Sequence, residues 1–138
     1  MIYLSLDEVI AIHEKMLEVG GGREGIRDFT LLHSAVERPK AFFGEKFLYP
    51  TIWLKAATLI HSLIKNHPFE DGNKRTGYFS TMWSLKKNGY NLSASSKNMI
   101  DFALSVNTKN LTLEKIAEWL RKHSKKGRPL LKSSAKPG

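Results

Sequence analysis

The chain has 138 residues, 41% of them hydrophobic, enough to close one core without staples and too few to require a second domain. It has no cysteine, which excludes a disulfide framework and any thiolate metal centre. Its 22 Lys and Arg against 13 Asp and Glu give a formal charge of +9, so a fitting partner is acidic: a nucleotide, a nucleic acid or an acidic protein surface.

Met1-Ile2-Tyr3-Leu4-Ser5 carries neither the basic flank nor the apolar core of a signal peptide, and no later apolar run approaches the length of a membrane span. A soluble, cytoplasmic protein with no membrane partner is expected. Ser5-Leu6-Asp7-Glu8 has the pattern of a capping box, and Leu6, Val9, Ile10, His13, Met16 and Leu17 recur at helical spacing, which predicts a first helix from about Ser5 to Val19. Gly20-Gly21-Gly22 ends it and leads into the polar turn Arg23-Glu24-Gly25-Ile26-Arg27-Asp28. Leu31, Leu32, Ala35 and Val36 mark a short second helix stopped by Pro39.

Residues 40–49 hold Phe42, Phe43, Phe47 and Tyr49 around Gly44 without helical period, the pattern of an extended flap or hairpin. Pro50 suits the first turn of a helix. Ile52, Trp53, Ala56, Ala57, Leu59, Ile60, Leu63 and Ile64 leave that helix little polar face, as expected of a central buried element. It stops near Asn66. A further helix opens near Asn73 and closes on Lys86-Lys87-Asn88-Gly89, with cations at the negative dipole end and a glycine stop. Tyr90-Asn91-Leu92 reads as an extended link, Ser95 or Ser96 caps the next helix, and Thr112 caps the last. The expected fold is all-α, a compact bundle of about six helices with a short flap or hairpin before the central one. Residues 1–123 form the domain, and residues 124–138 read as a basic, flexible tail.

Between the third and fourth helices lies His67-Pro68-Phe69-Glu70-Asp71-Gly72-Asn73-Lys74-Arg75. Pro68 and Gly72 break the helical period, so His67 to Gly72 form a tight loop and Gly72, Asn73, Lys74 and Arg75 fall at a helix N-terminus, where free N–H groups and the dipole favour a phosphate. Transfer of a phosphoryl or nucleotidyl group needs a base, a carboxylate for Mg²⁺ and donors for phosphate oxygens. His67 supplies the first, because its ordinary pKa lies near neutrality, and Asp71 the second. Asn73, Lys74 and Arg75 supply the third, Arg75 as a fork and Lys74 as a point charge. His67, Asp71 and Arg75 are thus the expected catalytic residues, with Mg²⁺ as cofactor. A Walker A loop is excluded, since neither the early glycine nor a preceding strand is present. His13, His33, His61 and His123 have no ligand-like spacing and are assigned no function.

The loop resembles the Fic/Doc fingerprint His-x-Phe-x-Asp/Glu-Gly/Ala-Asn-Gly/Lys-Arg, matched by His67, Phe69, Asp71, Gly72, Asn73, Lys74 and Arg75. The resemblance runs over most of the chain and looks like the Doc, or death-on-curing, branch. Lys74 stands where the adenylyltransferases of the family carry glycine, and Tyr78 where they carry a second arginine. In the Doc branch, which shares the lysine, the nucleotide is bound in an inverted sense and its γ-phosphate is transferred to Ser or Thr. The resemblance implies a toxin with ATP as co-substrate, elongation factor Tu as target and a small antitoxin over the active site. It also implies that Phe69 anchors the loop and that Phe42, Phe43, Gly44, Glu45, Lys46 and Phe47 form a flap aligning the target by strand addition. The alternatives are a Fic-type adenylyltransferase and a non-catalytic basic binding module. Nucleic acid is an unlikely partner because no helix gathers cations on one face.

Overall fold

The structure, a computed structural model, describes residues 1–128. Ser5 Oγ accepts from Glu8 N and the Glu8 carboxylate accepts from Ser5 N, so the capping box is closed and starts α1, Leu6–Gly20. Asp28 caps α2, Phe29–Glu37, which runs into a 3₁₀ turn, Arg38–Lys40, built on Pro39. Two short strands, β1 (Phe42–Phe43) and β2 (Lys46–Phe47), then form an antiparallel hairpin with Phe42 opposite Phe47. Helices α3 (Ile52–Lys65), α4 (Asn73–Lys87), α5 (Ser96–Thr108) and α6 (Leu113–Lys122) make up the rest of the bundle. Ser95 and Thr112 cap α5 and α6 through their side-chain oxygens.

Helix α3 is the shared wall of two cores. On one side Ala57, Ile60 and Ile64 meet Tyr78 and Leu85 of α4, Phe102 and Val106 of α5, and Ile116 and Leu120 of α6. On the other, Leu59 and Leu63 meet Leu4, Val9 of α1, Leu32 and Val36 of α2, and Phe69. A helix buried on both sides has no polar face to spare, which is why α3 reads as almost wholly apolar. Among the described residues no helix is long and apolar enough to cross a membrane.

The structure departs from the sequence reading at two places. Pro50 lies outside the first turn of α3, because Thr51 is the N-cap and its Oγ1 accepts from Leu54 N at 3.1 Å. The expected flexible tail is corrected over its first residues. Ser124–Lys126 form β4, antiparallel to β3 (Tyr90–Leu92), with Asn91 opposite Lys125. The ladder is continued by Ser93 N to His123 O at 2.9 Å and Gly127 N to Gly89 O at 2.6 Å. The Ser-Lys-Lys side chains carry no apolar signal, since this strand is held by its backbone. Residues 129–138 of the expected tail lie outside the described residues.

Candidate active site

The loop after α3 is anchored from below. Phe69 is 1% exposed, and its ring stacks on that of His13 with centroids 3.7 Å apart and planes within 6°. Burial of an aromatic ring of this kind is worth about 3–5 kcal/mol when truncated to Ala. His13 Nε2 donates to the Asp71 carbonyl at 2.8 Å, so one buried imidazole holds both the anchor and the far end of the loop. Asn73 closes the loop on itself: its Oδ1 accepts from Phe69 N at 3.0 Å and its Nδ2 donates to Phe69 O at 2.9 Å. Its oxygen and one of its two N–H groups are thus engaged in closing the loop.

The turn between α1 and α2 grips the same loop from outside. Ile26 and Phe69 form an isolated antiparallel bridge, flanked by Glu70 N to Gly25 O and by Arg27 N and Asp28 N to Pro68 O. Arg27 donates from Nε to His67 O at 2.6 Å and from Nη2 to Asn66 O at 2.7 Å. His67 has φ of +46°, a left-handed conformation that costs a non-glycine residue about 1–2 kcal/mol and persists only where its surroundings hold it. The Arg27 fork across two successive carbonyls is such a hold. At the other end, Arg23 N donates to Asp71 Oδ2 at 3.1 Å and Arg23 Nη2 to Glu70 O at 2.8 Å. A Cβ at Gly22 would come within 2.9 Å of Asp71 Oδ2, so glycine there admits the carboxylate.

These contacts set the protonation states. The exposed His67 imidazole has its pKa lowered, first by partial desolvation and then by the cations of Lys74, Arg27 and Lys65. It stays neutral, and able to accept a proton, to a lower pH than an ordinary histidine. The Asp71 carboxyl is held below its usual range by the N–H groups of Arg23 and Gly72, with Arg23 and Arg75 adding charge, so it is ionised at neutral pH. The Glu70 carboxylate faces the Arg23 guanidinium at 3.9 Å.

Gly72 begins α4 in a left-handed conformation, φ +76°, and offers no side-chain cap to the first turn. The first N–H groups of a 15-residue helix are thereby left without intrahelical acceptors or a capping oxygen, beside the exposed Lys74. Arg75 does something the sequence did not indicate. Its Nη1 donates to Met16 O at 2.9 Å and its Nη2 to Gly21 O at 2.8 Å, closing the carbonyl end of α1. Each terminal nitrogen keeps a second N–H beside the one that α1 engages. The cationic groups at this helix N-terminus are the exposed Lys74 and the tethered Arg75.

A family model described as the Fic/DOC family matches residues 3–85, from the entry to α1 through nearly all of α4. The chain belongs to the Fic/DOC family. It is 45% identical over 74 residues to a protein named Toxin Doc from Mycolicibacterium smegmatis, covering 54% of this chain and 57% of that relative. It is 25% identical over 122 residues to Protein kinase doc of Escherichia phage P1, covering 88% of this chain and 95% of the phage protein. These relatives support the Doc-type branch of the Fic/DOC family.

Position 78, the site of the second arginine in the adenylyltransferases, here holds a tyrosine that is 3% exposed, edge-on to Phe79 and Trp119. It belongs to the core. The flap is the β1–β2 hairpin. Its ladder is extended by Leu48 N to Ala41 O at 2.9 Å, and Phe42 stacks on Phe47 at 4.4 Å. Lys55, though only 4% exposed, sends its ammonium to Tyr49 O at 2.5 Å and lies 3.5 Å from the centre of the Phe47 ring. Gly44 and Glu45 turn the hairpin, and Phe43 is 81% exposed. Sequence reasoning missed His13, Arg23, Arg27 and Lys55. The only available signal was the pair of arginines flanking Gly25 in a turn otherwise unexplained.

Proposed function

We propose that this chain is a Doc-type toxin that transfers the γ-phosphate of ATP to a Ser or Thr hydroxyl of a target protein, elongation factor Tu being the candidate target. The observation that carries the reading is the pairing of an exposed Lys74 beside His67 with a Tyr78 buried in the core. A lysine at the second residue of α4 fills volume that an α-phosphate would need in the adenylyltransferase sense, and a buried tyrosine cannot replace a clamping arginine.

His67, neutral at physiological pH, takes the proton of the incoming hydroxyl as the new O–P bond forms. The bond between the γ-phosphorus and the β–γ bridging oxygen breaks, and ADP leaves with that oxygen. Lys74 and the N–H groups opening α4 hold the phosphoryl oxygens, and the tether of Arg27 keeps the imidazole from drifting off line. Among the described residues there is no cluster of three or more metal-ligating side chains, so no self-contained metal cage exists. Asp71 fits Mg²⁺ of the kind that arrives with a nucleotide: one ionised carboxylate, each oxygen carrying a single protein hydrogen bond and keeping lone pairs free. Mg²⁺ there would neutralise the charge on the phosphate chain. The exposed flap would add a strand from the target segment, and an antitoxin would act by covering the site.

Purified protein given Mg²⁺, elongation factor Tu and ATP labelled at either the α or the γ position should transfer only the γ label, with the target gaining the mass of one phosphate. Transfer of the α label would move the chain to the adenylyltransferases, and transfer of neither would favour the non-catalytic module. Lys74→Gly should lower phosphate transfer and admit weak adenylylation, since it restores the backbone pocket without the second arginine.

A further inference from the structure

Residues 72–100 and 119–128 contain no Asp or Glu, and the pairing of β3 with β4 lays the second stretch against the first. Gly127 N donates to Gly89 O at 2.6 Å and Gly89 N to Lys86 O at 3.1 Å, so the end of α4 and the strand after α6 share one corner of the molecule. Some of its cations are already engaged: Lys87 pairs with Glu8, and Arg121 and Lys122 pair with Glu118. Lys86, Lys125, Lys126 and Arg128 are exposed and have no acidic partner among the described residues. The negative end of the α4 dipole explains Lys86. It does not explain the other three, which lie past the end of α6. Lysines also guard a free strand edge against pairing, but a charge of either sign does that, and here every one is positive.

We propose that this corner is a second binding surface, separate from the active site, and that its partner is the phosphate backbone of duplex DNA. The charge calls for a polyanion. The lack of anchors chooses among polyanions: no large apolar side chain is exposed within residues 81–93 or 119–128, whereas a protein interface has an apolar centre and a membrane surface takes an inserted apolar face. The exposed neutral side chains beside Lys125 are Asn91 and Ser93, of the kind that contacts phosphate oxygens. A single strand is disfavoured, because Tyr90 lies edge-on to Trp53 and Trp119 is stacked on Phe102 and His123, so neither ring is offered to an unpaired base. Double-stranded RNA is read by modules spanning about 16 bp and two minor grooves, far more than a ribbon of three-residue strands covers. Such short strands do not reach base edges either, so binding is independent of sequence. No single helix gathers these cations, and the sequence alone therefore spoke against a nucleic-acid partner; the β3–β4 ladder gathers them from distant segments. The surface does not depend on the active-site reading, since Lys86 lies about 18 Å along the α4 axis from Lys74.

The test is fluorescence anisotropy of a short labelled DNA duplex of mixed sequence, titrated with the full chain over a range of salt concentrations. Four unpaired cations give an expected slope of log affinity against log salt of about −3.6, a loss of about a hundredfold between about 50 and 200 mM salt. Lys86→Gln/Lys125→Gln/Lys126→Gln should flatten that slope to about −0.9 and weaken binding about ten- to a hundredfold at the low-salt end. The ladder is held by its backbone, so the fold should survive, and circular dichroism checks it. Lys15→Gln/Lys109→Gln/Lys115→Gln removes the same charge from exposed positions on α1, after α5 and in the first turn of α6, and should leave the slope as it was. Equal losses in the two triple variants, or an unchanged slope in the first, overturn the proposal, because net charge and not this corner would then be responsible. Mg·ATP should fail to displace the duplex; displacement would put the DNA on the Lys74 cradle and overturn it too. Polyglutamate competing as well as unlabelled DNA would assign the corner to an acidic protein, and duplex RNA competing better than DNA would assign it to RNA, either of which rejects the proposal. None of these results bears on transfer of the γ label, so the two readings fail separately.

Discussion

The loop 67–72 and the β1–β2 hairpin, the two ends of the proposed site, are both short and irregular, yet they are held in opposite ways. The loop is gripped on three sides: by the His13 and Phe69 stack below, by the Asn73 amide within, and by Arg23, Arg27 and the Ile26 bridge outside. The flap consists of two two-residue strands with every residue exposed, tied at its base by Lys55 and by the contact of Arg38 with the Tyr49 hydroxyl. A group that must meet a reacting atom within a few tenths of an ångström has to be fixed in advance, whereas a strand that pairs with another protein is completed by that protein. Under the proposed function, the phosphate end of the site is finished before binding and the target end is not.

The sharpest way to test the finished end is to remove its base. His67→Ala should lower transfer by about 10²–10⁴-fold with the melting temperature nearly unchanged, because the ring is exposed and the backbone tethers stay. Phosphate incorporation and thermal melts on the same preparation check both halves; undiminished transfer by the folded variant would remove His67 from the chemistry.

A smaller effect separates positioning from chemistry. Arg27→Ala removes the fork that holds the left-handed His67 and also one of the cations that depress its pKa, the others being Lys74 and Lys65. Turnover should fall by about tenfold, the cost of roughly one charge-assisted hydrogen bond. The acidic limb of the rate profile should move to higher pH, since losing a cation lets the imidazole protonate sooner. Arg27→Lys should return the limb most of the way without restoring turnover, as the ammonium has charge but no fork. A profile that does not move in Arg27→Ala would show that the guanidinium acts on geometry alone.

Asp71→Asn should weaken Mg²⁺-dependent nucleotide binding clearly, while Glu70→Gln should barely alter it, because Glu70 faces Arg23. Equal losses in a binding titration would put the metal on neither. At the unfinished end, Lys55→Met frees the flap base, and burial already depresses the Lys55 pKa, so the ammonium lost was costly to keep. The KM for the protein target should rise while that for ATP holds. Smallest in stability is Phe43→Ser, within about 0.5 kcal/mol at a side chain 81% exposed, with its consequence confined to target binding. A shift of the ATP KM in either flap variant would join the two ends that the structure keeps apart.

What the sequence determined by itself is local. The capping box at Ser5, the caps at Ser95 and Thr112, the apolar run of α3 and the break at His67 to Gly72 are written in neighbouring residues, and a side chain that bonds its own helix end needs no tertiary context. The spacing of His67, Asp71 and Lys74 was legible for the same reason, since it falls within one turn and one loop. Tertiary structure alone decided what those groups are free to do. Arg75 is as basic in the sequence as Lys74, but 59 residues back the end of α1 supplies a carbonyl at Met16 that claims it, leaving Lys74 as the exposed cation. Asp71 owes its low pKa to an N–H from Arg23, 48 residues away, and His67 its conformation to Arg27, 40 residues away. β4 was invisible because a strand held by backbone hydrogen bonds leaves no apolar period to read. Which donor meets which acceptor across such separations depends on where the packed cores bring the chain, and no window of neighbouring residues contains that information.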